Sequence, residues 1–420
     1  MDTIASSLAG LRPQALSRPG LKPLVGDRLG WVDQLRGLAM IVMALDHVRD
    51  FVHRGAMSAA PTDLATTTPL LFATRWITHL CAPTFALTAG LGAFLWWRKG
   101  RGRGQLSWFL ASRGVWLMVL ELLVMRLAYY FSWSPQSPVL LLVLWSLGLS
   151  MLGLAALVWL PRRWLAPLAL AIILLNPLLD AIPAARLGPA AGLWNLIHEV
   201  GAFKLLGATV VTPYPLLPWI GIMLLGFSLG PLCETATRTQ RRWLVLLGLA
   251  ALVGFLVLRV INLYGDPAPW RAQGSAIYTA MSFLNVTKYP ASPDFVLMTL
   301  GAAFLLAALL TGASSGPGWA GAALRSLGRA PLFYYVLHFF LAHLIATALA
   351  LAAYGWRARF FVFSPYPSMG GAPGQFPADF GHELAIVYAV WLALVAICYP
   401  LCVWYAGLKA RRGDWWLSYL

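Results

Sequence analysis

The chain has 420 residues; 60% are hydrophobic and only 11% charged, with a net charge of +16 and a mean hydropathy of +0.71. Soluble domains run near ~45–50% apolar and about 25% charged. These values exclude a disordered chain, a soluble enzyme and a secreted disulfide scaffold, and point to a protein that lies mostly in a bilayer. Its basic residues sit in short clusters between apolar runs, as topology determinants do, so nucleic acid is not an expected partner. The four cysteines, Cys81, Cys233, Cys398 and Cys402, fall in apolar runs and form no C-x-x-C pair.

A span needs roughly 20 mainly apolar residues. Ten such stretches follow one another, at about 35–54, 70–97, 107–131, 138–160, 164–182, 215–235, 242–262, 294–312, 330–353 and 383–407. The expected fold is all-α and polytopic: a cytoplasmic segment 1–34 without a cleavable signal, a single transmembrane domain 35–407 and a cytoplasmic tail 408–420. With the N-terminus inside, the inner segments hold 18 Lys and Arg and the outer ones 7. The positive-inside rule therefore predicts both termini in the cytoplasm and a multi-pass protein of the cytoplasmic (inner) membrane. The long loops at about 183–214, 263–293 and 354–382 then face outward, with Trp194, His198, Glu199, Trp270, Lys288, Asp379 and His382 as their chemistry-bearing residues.

The first span is the unusual one. After Arg36 come nine apolar residues, and then Asp46, His47, Arg49, Asp50 and His53 within eight positions. A charge at the bilayer centre costs about 2.5–3.5 kcal/mol on insertion scales, so each needs a partner or a function. His47 lies roughly 16 Å beyond Arg36 along a helix. A histidine there, with Asp46 or Asp50 to fix its tautomer, suits a general base. Arg49 is expected to pair with Asp46. The second span adds Arg75 and His79, and Pro83 is expected to kink it. Glu121 and Arg126 in the third span are expected to pair, while Arg113 lies near the cytoplasmic end. In the ninth span His338 and His343 are five residues apart, off one helical face, so no metal pair is expected.

These residues carry a resemblance. The Arg36-x10-His47 spacing resembles the signature of bacterial integral-membrane O-acyltransferases. The opening Asp33-Gln-Leu-Arg36-Gly37 more closely resembles the heparan-α-glucosaminide N-acetyltransferase catalytic family, as do Pro83, Phe85 and Gly90 in the second span. The later segments Tyr214-Pro-Leu-Leu-Pro218-Trp219-Ile-Gly221, Asn285-Val-Thr-Lys288-Tyr289-Pro290 and Leu327-Gly328-Arg329 are similar to its bacterial branch. Two positions depart from the lysosomal enzymes. His79 stands where they have an acidic residue, and His47 where they often have asparagine, so the resemblance leaves His47 and His53 both open as the base. It implies acetyl transfer from cytoplasmic acetyl-CoA to a sugar amine or hydroxyl on the opposite side. It further implies Arg36 and Arg113 toward the CoA phosphates, and Arg75, His79, Trp219, Lys288 and His338 toward substrate. No metal is expected, the bilayer and a glycan or amino-sugar acceptor are the other partners, and a homodimer stays open. The alternative is a proton-coupled secondary transporter, since intramembrane Asp, His and Arg also build proton relays.

Overall fold

The computed structural model describes residues 29–313, 318–372, 374–412, 414 and 417. The basic residues Arg12, Arg18, Lys22 and Arg28 and part of the expected tail lie outside them. In chain order the helices are α1 (Gly30–Val52), α2 (Pro69–Thr78), α3 (Cys81–Trp97), α4 (Arg103–Leu120), α5 (Arg126–Tyr130), α6 (Val143–Leu157), α7 (Arg162–Leu175) and α8 (Ala191–Ile197). They continue with α9 (Leu216–Ser228), α10 (Thr237–Ile261), α11 (Ala276–Leu284), α12 (Pro293–Ala313), α13 (Trp319–Gly328), α14 (Pro331–Tyr354), α15 (Arg359–Val362) and α16 (Leu384–Arg411).

Among the described residues 73% are helical, and eight helical stretches are long and apolar enough to cross a membrane. Each of the ten expected spans contains a helix. The two outside the eight are α1, with its five Asp and Arg residues, and α6, which has 15 residues. The expected all-α membrane architecture is seen, with a small sheet beside it: β1 (Val139–Leu140), β2 (Gly201–Leu205) and β3 (Ala208–Thr212) pair in the order β1-β3-β2. Its β2–β3 hairpin occupies part of the long segment between the fifth and sixth expected spans. Backbone pairing there satisfies N–H and C=O groups that no helix uses.

α1 is the hub. It packs against α3, α12, α13, α14 and α16. Paired contacts fix the directions. Arg36 meets Thr88 and Ala39 meets Cys81, so α3 runs antiparallel to α1. His47 meets His338 and Phe51 meets His343, so α14 runs parallel to it. The motif residues serve this packing. A Cβ on Gly37 would collide with the backbone of Leu324 on α13, and one on Gly90 with the backbone of Met223 on α9. Small residues let helices approach this closely where lipid offers no hydrophobic drive between them. Asp33 of the Asp-x-x-Arg-Gly opening forms an ion pair with Arg329 at 3.6 Å, joining two of the sequence motifs in space.

The second expected span is broken where proline chemistry places the break. Pro83 has no N–H to give to the carbonyl of His79, and the helix divides into α2 and α3 at His79–Leu80. The expected Glu121–Arg126 pair does not form. Glu121 accepts from the Tyr129 hydroxyl at 2.6 Å and from the backbone N–H groups of Leu144 and Trp145, at the start of α6. Arg126 instead donates to the carbonyls of Ser134 and Ser137. Residues five apart do not share one face of an α-helix, and each finds its partners elsewhere; a π-turn spans Glu121–Met125.

Candidate active site

The charged segment of α1 turns inward against α2 and the 285–292 loop. Arg49 donates to Asp46 at 3.0 Å and to Asp50 at 2.6 Å. Asp46 also pairs with Arg75 from α2. All four residues are buried. Asp46, Arg49 and Asp50 are an i, i+3, i+4 set, and such residues meet on one helical face. Arg49 therefore lies between the two carboxylates rather than away from them. One-sided removal of a buried ion pair costs about 3–5 kcal/mol, so the cluster is a fixed element of the interior.

Arg75 passes the network outward. It donates to the Tyr289 hydroxyl at 3.3 Å, and Tyr289 meets the Tyr214 hydroxyl at 3.3 Å. The Lys288 ammonium lies 5.1 Å from the Tyr289 ring centre and 5.5 Å from that of Tyr214, within cation–π range. Partial desolvation of the exposed Tyr289 ring opposes ionisation of its phenol, but Lys288 and then Arg75 hold it below its ordinary range. Trp219 packs on Tyr214 with a centroid separation of 5.2 Å, and its buried Nε1 has no hydrogen-bond partner among the described residues. His79 sits at the α2–α3 break, edge-on to Phe295, with a buried Nδ1 that has no hydrogen-bond partner among the described residues.

His47 faces the other way, toward α14. Its Nδ1 is 2.7 Å from Nε2 of His338, and its ring stacks on Phe339 at 4.0 Å. The expected tautomer partners, Asp46 and Asp50, are held by arginines, and the hydrogen bond goes to His338 instead. His338 is fully buried and its Nδ1 meets the Tyr334 carbonyl at 2.9 Å. His47 itself is only half-buried. His343, one turn further along α14, is separate from this pair: its nitrogens face the carbonyls of Ala128 and Val362.

The remaining expected residues spread toward the two ends. Arg36 donates to the Thr88 carbonyl at 2.5 Å. Arg113 lies on α4 with its guanidinium 4.5 Å from the Phe109 ring centre. His53 follows α1, where its backbone pairs with His382. Of the outer-loop residues, Lys288 reaches the charged cluster. His198 instead braces Asn176 and Asp180, Glu199 binds the N–H of Ala184, Trp194 donates to the Ile182 carbonyl, and Trp270 donates to the Arg259 carbonyl. Among the described residues no group of three or more His, Cys, Asp or Glu comes together as a metal set.

Tyr214 and Tyr289 join the Arg75 network although residue type alone does not flag them, since a tyrosine in an apolar chain carries no charge. Their signal is their place in the motif segments Tyr214–Gly221 and Asn285–Pro290.

In comparison with protein families, the model of heparan-alpha-glucosaminide N-acetyltransferase, catalytic, matches residues 28–260. The chain belongs to this family. A comparison with curated proteins finds no match. The matched region contains α1 with Asp46, His47, Arg49 and Asp50, and it contains Arg75, His79, Tyr214 and Trp219. Lys288, Tyr289 and His338 lie beyond its end; the first two approach the charged cluster and His338 meets His47 through tertiary contact. Membership makes the chain a membrane acetyltransferase by family and gives the transporter alternative no support.

Proposed function

We propose that the protein transfers an acetyl group from cytoplasmic acetyl-CoA to a sugar amine or hydroxyl presented on the opposite side of the membrane. The observation that carries this reading is a half-buried His47 beside a buried Asp–Arg cluster, on the central helix of a chain from this family. The distribution of Lys and Arg supports ten spans with both termini inside.

In this reading Arg36 lies at the donor end and His47 deeper in the bundle. The pantetheine arm reaches from one to the other. His47 Nε2 removes the proton of the attacking amine or hydroxyl as that atom bonds to the thioester carbonyl carbon. Collapse of the tetrahedral intermediate breaks the C–S bond. The electron pair leaves on sulfur, and the CoA thiolate takes up a proton. Arg75, Lys288, Tyr214 and Tyr289 form a polar and aromatic wall suited to hydroxyl-rich substrate. Aromatic faces and fixed donors together recognise a sugar ring, apolar on its C–H faces and polar at its edges.

The test is direct. Purified protein in lipid vesicles is incubated with acetyl-labelled CoA and a panel of amino sugars and neutral sugars. Label in a sugar supports the reading. CoA release that no sugar increases, together with no labelled sugar, removes it.

A further inference from the structure

The base assigned above needs an unprotonated nitrogen, and the hydrogen bonds around His47 decide which one it has. A neutral imidazole carries one N–H and one acceptor nitrogen. His338 Nδ1 faces the Tyr334 carbonyl at 2.9 Å. A carbonyl only accepts, so this nitrogen carries the proton. In the neutral ring His338 Nε2 is then an acceptor, and it faces His47 Nδ1 at 2.7 Å. His47 must therefore hold its own proton on Nδ1, which leaves Nε2 bare. A second proton on His338 would reverse the order. It would also put a cation on a fully buried ring that has no carboxylate among its hydrogen-bond partners, which is costly.

We infer that His338 is a positioning residue that fixes His47 as the Nδ1–H tautomer and so presents Nε2 as the base; its catalytic meaning rests on the acetyl-transfer reading above. The chain of bonds runs from the Tyr334 carbonyl to His338 Nδ1–H, and from His338 Nε2 to His47 Nδ1–H. It gives His338 a task other than the substrate contact expected of it. Two further features hold the geometry. Phe339 stacks on His47 at 4.0 Å, and Tyr335 meets the ring edge-on at 6.3 Å. Both stand on α14 beside His338, so one helix sets the orientation and the tautomer together. No hydrogen bond to His47 Nε2 is present among the described residues, and Nε2 is not among the buried unpartnered atoms, so this nitrogen is not sealed by the surrounding side chains.

The experiment is nitrogen NMR on the full-length protein in lipid, labelled with ¹⁵N at histidine. The His47 resonances are identified by their loss in His47→Gln. The wild type should show His47 with its proton on Nδ1. His338→Leu should shift His47 toward the Nε2–H form. His338→Gln, whose side-chain oxygen can still accept from Nδ1–H, should keep the wild-type pattern. In the acetyl-transfer assay His338→Leu should lower kcat roughly tenfold or more, within the ~10²–10⁴-fold that general base catalysis supplies. KM values for acetyl-CoA and acceptor should stay within about twofold, and His338→Gln should recover most of the loss. An Nε2–H His47 in the wild type overturns the inference, as does an unshifted His47 in a folded His338→Leu protein. The expected tautomers in a protein that acetylates no sugar would remove the acetyl-transfer reading and leave the tautomer assignment standing.

Discussion

Arg36 Nη2 donates to the backbone carbonyl of Thr88 at 2.5 Å, tying the start of α1 to α3. The same guanidinium is the first candidate for the CoA phosphates, and its five N–H donors allow both tasks. If it serves CoA, Arg36→Lys should weaken acetyl-CoA binding and Arg36→Gln should weaken it more. A hydrogen bond to a charged group contributes about 1.5–3 kcal/mol, or roughly tenfold or more in affinity. Titration calorimetry on folded variants measures this. Equal affinity in Arg36→Gln and wild type would limit Arg36 to its helix–helix role and turn attention to Arg113.

His47→Ala should abolish acetyl transfer while acetyl-CoA still binds. His53→Ala is the comparison. The backbone of His53 pairs with His382, and the alanine variant keeps that pairing, so its rate should stay within a few-fold of wild type. Single-turnover rates with labelled donor decide between them. A large loss confined to His53→Ala would move the base outward by six residues.

Asp46 is shared by Arg49 and Arg75. Asp46→Asn removes its charge and leaves Arg75 with no carboxylate partner. The loss expected for breaking a buried pair is about 3–5 kcal/mol. Thermal unfolding in detergent should show a clear drop in midpoint. Asp63→Asn offers the contrast: Asp63 bonds locally to Ala65 N–H and to the Thr66 hydroxyl at exposed positions, and its midpoint should barely move. Similar midpoints for both variants would show that the Asp46 cluster does not hold the bundle together.

Gly90→Leu should block the α3–α9 contact, because the added side chain starts inside the Met223 backbone. Overpacking costs about 1–3 kcal/mol even where side chains can shift, and here the obstacle is main chain. Yield of monodisperse protein by size-exclusion chromatography should fall sharply. Gly104→Leu, at a position with open space around the Cβ, should express normally. Equal yields would mean that α3 and α9 do not pack through Gly90.

Orientation is open to an equally simple measurement. A reporter fused after Leu420 should be active only in its cytoplasmic form, and one inserted in the 263–275 segment only in its periplasmic form. The opposite pattern would reverse the side from which acetyl-CoA enters.

The sequence alone determined that this chain belongs in a bilayer, and where its apolar helices run, because a span is a local property of about 20 consecutive residues. It also located the charge cluster on the first helix, since each charge in an apolar run stands out by its insertion cost. The break before Pro83 was legible for the same local reason: the missing N–H belongs to proline itself. Tertiary structure decided the pairings. Asp46 turns to Arg75 on another helix, Lys288 arrives from a loop more than 200 residues away in sequence, and Glu121 binds Tyr129 and the start of α6 rather than Arg126. A hydrogen bond depends on distance and direction in space, and helical periodicity supplies these only within one unbroken helix. The His47–His338 contact joins residues 291 positions apart. Neither residue's sequence neighbours encode it, so the tautomer of His47 follows from how α1 and α14 pack.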